Sequence, residues 1–103
     1  MIFIGHGGAG CKLATMFAEE TKSKCITVDT RLADCLLPKS KTIEESEENT
    51  PQFEKLLALK NEEIIFITAG SGNTSGSILR VLEQIKDNKI ALPSMSFQIF
   101  ELK

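Results

Sequence analysis

Four glycines crowd the start of the chain, Gly5, Gly7, Gly8 and Gly10, in the run I-G-H-G-G-A-G-C-K. Glycine at this density lets a backbone turn tightly and bring bare N–H groups up to negatively charged oxygens, which is the chemistry of holding a phosphate. The amides of Gly7, Gly8, Ala9 and Gly10 are the donors on offer. A second run of the same character, A-G-S-G-N-T-S-G-S from Ala69 to Ser77, contains Gly70, Gly72 and Gly76. Its Ser71, Asn73, Thr74 and Ser75 add hydroxyl or amide groups, and a helix starting near Ser77 would add the positive end of its dipole. Asp29 closes the run C-I-T-V-D about 20 residues after Gly10, where a carboxylate can accept hydrogen bonds from a ribose.

Other chemistry is poorly served. His6 is the one histidine and lies inside the first glycine run, so no Ser/His/Asp set or paired-carboxylate motif can be assembled around it. With Cys11, Cys25 and Cys35 scattered, it makes no metal site either. Neither a catalytic residue nor a protein-held metal is expected. Cys11 falls in the first turn of the expected helix, where the dipole can depress a thiol pKa, although a passive thiol is the preferred reading. Cys25 is expected in the core and Cys35 in a loop. The spacing G-x-x-x-x-G from Gly5 to Gly10 approaches a P-loop, but Cys11 intervenes before Lys12 and Leu13 stands where a magnesium-binding hydroxyl belongs. Lys12 is expected on a solvated helix face.

The elements that would position these groups follow from apolar periodicity. Ile2 to Ile4 is too short for a helix and reads as a buried strand. After the glycine loop, Leu13, Met16 and Phe17, with Ala14 and Ala18, recur at helical spacing. Cys25 to Val28 is a second strand. A short third strand is expected around Thr42 and Ile43, followed by a solvated acidic loop containing Glu44, Glu45, Glu47 and Glu48. Thr50-Pro51 reads as a helix start, with Thr50 as N-cap, Phe53, Leu56 and Leu57 as the apolar face and Asn61 as the stop. Ile64 to Thr68 is a strand leading into the second glycine run, and Ile78, Leu82 and Ile85, flanked by Leu79 and Val81, mark a helix ending near Asn88. The tail, with Ile90 to Leu92, Pro93 and F-Q-I-F-E-L, reads as one strand split by proline, or as a parallel strand followed by an edge strand. Strands alternating with helices predict a three-layer α/β domain with a mainly parallel, Rossmann-like sheet and helices on both faces. Each glycine run follows the carboxyl end of a strand, so both should open on the same sheet edge.

Bulk properties bound the answer. At 103 residues the chain makes one domain, 1–103, below the usual size of a complete nucleotide-binding enzyme. A formal net charge of −2 gives no electrostatic case for nucleic acid or an anionic membrane, and without tryptophan or tyrosine there is no aromatic platform for bases. No apolar run approaches the roughly 18 residues that a bilayer requires. The N-terminus opens directly into a strand, and an odd number of cysteines with no C-x-x-C pair suits a reducing compartment, so a cytoplasmic location is expected.

The motifs, taken in order, resemble the N-terminal half of the GTPase domain of the FtsZ/tubulin family. I-G-H-G-G-A-G resembles that family's first phosphate loop, and I-F-I-T-A-G-S-G-N-T-S-G-S its signature loop with one residue fewer. V-D-T-R at Val28 to Arg31 is similar to its N-T-D loop, and N-T-P-Q-F at Asn49 to Phe53 falls where it begins the helix before its signature strand. The resemblance implies GTP or GDP with Mg²⁺. Gly7, Gly8, Ala9 and Gly10 would then lie on the phosphates, Gly70, Gly72, Thr74 and Gly76 would cradle the β- and γ-phosphates, and Asp29 or Thr30 would lie near the nucleotide or its Mg²⁺. Three departures stand against a full match. Lys12 replaces the usual asparagine, Asn73 and Ser75 replace glycines, and the family's central helix and second domain have no counterpart in these 103 residues. The resemblance therefore implies weak or no autonomous hydrolysis, with function expressed through self-assembly as a homo-oligomer or docking on a protein partner. Two alternatives remain open. Gly5, Gly7 and Gly10 satisfy G-x-G-x-x-G with Asp29 following, which is a dinucleotide site for NAD or a relative. Alternatively the chain keeps the fold without a ligand and serves as a structural or interaction module, as divergent phage- and plasmid-encoded members of the family suggest.

Overall fold

The computed structural model describes residues 1–59, 63–68, 72–91 and 97–101. Five strands form one sheet: β1 (Ile2–His6), β2 (Lys24–Asp29), β3 (Cys35–Leu36), β4 (Ile64–Thr68) and β5 (Phe97–Glu101). Their order is β3-β2-β1-β4-β5, and every pairing is parallel. Four α-helices surround them: α1 (Gly7–Thr21), α2 (Ile43–Glu48), α3 (Glu54–Leu57) and α4 (Ile78–Ala91), the last entered through a 3₁₀ turn, Asn73–Ser77. The α/β, Rossmann-like architecture expected from the sequence is what the chain adopts, with a sheet that is wholly parallel among the described strands.

β1 sits at the centre and is buried along its whole length, as a strand must be when helices cover both faces. Its side chains alternate between two cores. Ile2 and Ile4 join Leu56, Phe66, Val81 and Ile85 on the face covered by α3 and α4. Phe3 joins Ala14, Ala18 and Ile67 beneath α1. Burial of each large apolar side chain contributes roughly 1.5–3 kcal/mol. The face that α1 turns to the sheet is its small-residue row, Gly10, Ala14 and Ala18, rather than the larger apolar residues. The spacing of four keeps that row on one side of the helix and lets it lie close against the strands. Met16 and Phe17, expected on the buried face, are 48% and 43% exposed, although Phe17 stacks on Phe3 with centroids 6.1 Å apart. α1 stops where Lys22 turns left-handed and Ser23 N–H reaches back to the Ala18 carbonyl at 2.8 Å, a Schellman closure.

The middle of the chain departs from expectation. The third strand is Cys35–Leu36, not the Thr42–Ile43 pair, and Cys35 is buried rather than in a loop. Thr42 is instead the N-cap of α2, its Oγ1 accepting the Glu45 N–H at 3.0 Å, and Glu44 and Glu45 lie in a first turn whose dipole favours them. The acidic run is thus a helix, not a loop. Thr50 does not start a helix either; its hydroxyl donates to the Ser46 carbonyl at 2.7 Å and closes α2. The physical reason lies in α4. The buried Gln84 amide donates to Pro51 O and accepts from Phe53 N–H, both at 2.8 Å, which occupies the backbone before α3 and delays that helix to Glu54.

α4 runs past Asn88 to Ala91, so Ile90 and Ala91 are helical and not the start of a strand; neither expected arrangement of the tail is adopted, and Phe97–Glu101 forms β5, parallel to β4. Asn61, Leu92 and Pro93 lie outside the described residues. Among the described residues no helix is long and apolar enough to cross a membrane.

Candidate functional site

β1 and β4 are neighbours in register, His6 opposite Thr68, so both glycine runs leave the same sheet edge. From β1 the chain passes to β2 on one side, while β4 lies on the other. In open parallel sheets such a reversal of strand order is where the ligand crevice lies, at the carboxyl ends of the strands.

The first run is tighter than the expected loop. Strand passes into helix with only Gly7 as the turn, at φ +76°, and Gly7, Gly8, Ala9 and Gly10 are themselves the first turn of α1. N–H groups there have no intrahelical acceptor. His6, at the cap position, makes no side-chain cap, and no acidic residue stands in the first turn. Gly8 and Ala9 are exposed and Gly7 is half-buried. The glycines of this run differ in what requires them, Gly7 being fixed by its positive φ. A Cβ on Gly5 would lie 2.5 Å from Cys11 Cα, and one on Gly10 2.5 Å from Ile67 O, so these two serve the close packing of helix on strand. A Cβ on Gly8 would meet nothing within 4 Å, and its φ is ordinary.

The second run is engaged with its own neighbours. Asn73 Nδ2 donates to the carbonyls of Ser40 and Lys41, at 3.3 and 3.0 Å, and so ties the 3₁₀ turn to the segment entering α2. A Cβ on Gly76 would overlap the Ile43 carbonyl. Asn73 and Gly76, both read as ligand contacts, are therefore committed to packing against α2. Gly72 turns at φ +78° and is exposed, and Thr74 and Ser75 are half-buried. Gly70 and Ser71 lie outside the described residues.

Beneath both runs lies a residue whose role the sequence did not disclose. His6 is 2% exposed; its Nδ1 is 3.1 Å from Thr68 Oγ1 and its Nε2 2.6 Å from Ser77 Oγ. Ser77 Oγ donates its own proton to Thr74 O at 2.7 Å, so it must accept from Nε2–H, which leaves Nδ1 to accept from Thr68. Burial pushes the imidazole pKa down to about 4, opposed by the nearby Asp29 carboxylate, so the ring is neutral at physiological pH. A lone polar residue ending a buried apolar strand was the available signal, but its partners are 62 and 71 residues away.

Asp29 ends β2; its Oδ1 accepts the Thr30 N–H at 2.8 Å and its carbonyl the Leu37 N–H at 2.7 Å. Thr30 is half-buried in the turn that follows. Lys12 is exposed, as expected. Cys11 lies beyond the first turn, its Sγ directed at the carbonyls of Gly5 and Val28, and burial pushes its pKa up to about 11. The helix dipole does not activate it. In native protein at pH 7.4, iodoacetamide should modify Cys11 more than tenfold more slowly than in urea-unfolded chain, because its thiolate fraction is roughly a hundredfold lower. Equal rates by mass spectrometry would refute this. Cys25 and Cys35 are also free thiols with raised pKa values, and among the described residues no group of three His, Cys, Asp or Glu side chains gathers to hold a metal.

A groove of about 430 Å³ lined by Ile2, Lys24, Cys25, Ile26, Lys55 and Leu59 lies where the strands begin, at the far end from this crevice. An apolar groove of about 390 Å³, lined by Phe3, Leu13, Phe17, Ile65, Ile67 and Phe100, lies on the α1 face of the sheet. No family model, curated protein or solved structure matches the chain significantly, so the reading of its site rests on its own residues.

Proposed function

We propose that the chain binds the phosphate portion of a nucleotide at the first turn of α1, with GTP or GDP and Mg²⁺ as the ligand that the FtsZ/tubulin resemblance implies. Gly8 carries this reading. An exposed helical glycine costs about 1 kcal/mol relative to alanine, and nothing within the fold requires one at this position. A bare Cα there makes sense if something outside the fold must come close to it. The uncapped amides of Gly7, Gly8 and Ala9 suit an anion, and the site's position between β1 and β4 suits a nucleotide. Asp29 and Thr30, at the end of β2, are the groups nearest to hand for a magnesium ion or a ribose. A Mg²⁺ ion would be held chiefly by the phosphates and water, as its preference for few protein ligands allows. Hydrolysis by the isolated chain is not part of the proposal, and His6 is engaged in its own buried hydrogen bonds.

A second reading, a fold kept for assembly without a ligand, is favoured by the commitment of Asn73 and Gly76 to α2. The apolar groove on the α1 face and the edge strand β5, with Ile99 and Phe100 51% and 52% exposed, are the surfaces through which the chain would self-associate or dock.

Calorimetric titration with GTP, ATP and NAD, each with Mg²⁺, separates the readings. Selective binding of GTP, lost in a Gly8→Leu variant that keeps its circular dichroism spectrum, is the expected result. Selective binding of NAD would transfer Asp29 to an adenosine ribose and make the dinucleotide reading the better one. A folded protein that binds none of them would leave assembly as its function, to be seen as a change in mass by light scattering with concentration.

A further inference from the structure

We infer that His6 is a positioning residue, holding the 3₁₀ turn Asn73–Ser77 at a fixed distance from the first turn of α1 so that a phosphate bound at that first turn is met by the 3₁₀ turn as well. The inference rests on the phosphate-binding reading and adds to it a residue that touches no ligand.

The argument starts from position 6 itself. The four preceding residues of β1 are buried, and three of them are large and apolar, so a further apolar residue would complete the core without polar cost. A buried imidazole is destabilising unless its nitrogens find hydrogen-bond partners. Here both do, and the partners lie on two other segments. Thr68 ends β4, and Ser77 joins the 3₁₀ turn to α4. Ser77 passes the chain of bonds on to the carbonyl of Thr74, inside the second run. The protons all point one way: Thr68 hydroxyl to His6, His6 to Ser77, Ser77 to Thr74. Such a directed chain tolerates one spacing between β1 and the 3₁₀ turn and resists others, because each hydroxyl proton is already assigned. His6 is also the residue immediately before Gly7, so displacing its ring moves the first turn of α1 as well.

The test uses substitutions that divide the two bonds. In His6→Gln the side-chain amide nitrogen reaches the place of Nε2 and can still donate to Ser77; in His6→Asn the shorter amide reaches only the Thr68 side. GTP and inorganic pyrophosphate are titrated into the full chain and both variants by calorimetry, with melting temperature measured in parallel. Binding within about threefold of wild type for His6→Gln, with a loss of roughly tenfold or more for His6→Asn, supports the inference, provided that the two variants melt within a few degrees of each other. Should His6→Asn fail to fold, Ser77→Ala removes the same bond from the other end and must show the same loss. Wild-type affinity in His6→Asn or Ser77→Ala would overturn the inference while leaving the phosphate reading intact. Affinity that simply follows melting temperature across the series would overturn it too, leaving His6 a structural residue. If the folded wild-type chain binds neither GTP nor pyrophosphate, the phosphate reading falls, and this inference with it.

Discussion

Gly10→Ala should lower the melting temperature by about 15 °C or leave the chain unfolded, while Gly8→Ala, two residues earlier in the same helical turn, should leave it unchanged or slightly raised. The added methyl at Gly10 would stand 2.5 Å from Ile67 O and 3.2 Å from Thr68 Cα, both backbone atoms of β4 that cannot rotate aside. α1 must then lift away from the sheet. That movement disturbs Ala14 and Ala18, which share the row and pack beneath it with Phe3 and Ile67. Overpacking of this kind costs about 3 kcal/mol, and in a domain of this size each kcal/mol shifts the transition by about 4–8 °C. At Gly8 the same methyl meets open space, and alanine's better helix propensity works in its favour by up to about 1 kcal/mol. Thermal unfolding followed by circular dichroism reads both. Equal melting temperatures for the two variants would mean that α1 does not approach β4 as closely as described.

Acid should destabilise the chain well before its carboxylates are all protonated. Burial holds His6 at about 4, against an ordinary value of 6.5. As pH falls through 6.5 the unfolded imidazole takes a proton that the folded one refuses. Between those two values the unfolded state binds more protons, and stability falls as pH falls. The loss accumulates to about 3 kcal/mol by pH 4 and then levels off for this group. Asp34 acts in a lower window. The Thr27 backbone N–H, with help from the Thr27 hydroxyl and Lys55, holds its carboxyl below the usual range, so its contribution is present at neutral pH and is lost only as pH falls through that depressed value. Unfolding free energy measured by urea titration from pH 7 to pH 4 should show the first loss in the wild type and little of it in His6→Gln. A slope that survives the substitution would assign the acid sensitivity elsewhere.

The parts of the fold that could be read from the chain are those whose causes are local. β1, β2 and β4 stand out because short apolar runs end in glycine or aspartate, and the parallel sheet follows from their alternation with helices. α2 had a local signature too, the T-x-x-E of Thr42 to Glu45, which specifies a capped helix start and was outweighed by the acidity of the run. What could not be read are the features with distant causes. The start of α3 depends on Gln84, 31 residues from Phe53. The face of α1 depends on how near the sheet comes, which favoured Gly10, Ala14 and Ala18 over Met16 and Phe17. At the site, one letter hides three roles. Gly5 and Gly10 are there for packing, Gly7 for its positive φ and Gly8 for none of these reasons, and only the surrounding atoms tell them apart.

The central place of β1 also makes it the joint between two locally connected units. β1 and β2 are joined by α1 alone, so the first 29 residues contain a complete strand–helix–strand unit whose contacts are near in sequence. β4 must find β1 across 62 residues, His6 to Thr68, whereas β5 pairs with β4 through the single crossover of α4, a second unit of the same kind. Among the described residues no strand pair is a hairpin, so each half must close a strand–helix–strand crossover before its strands can pair. β1, paired with β2 on one side and β4 on the other, is thus the seam at which the two units come into register.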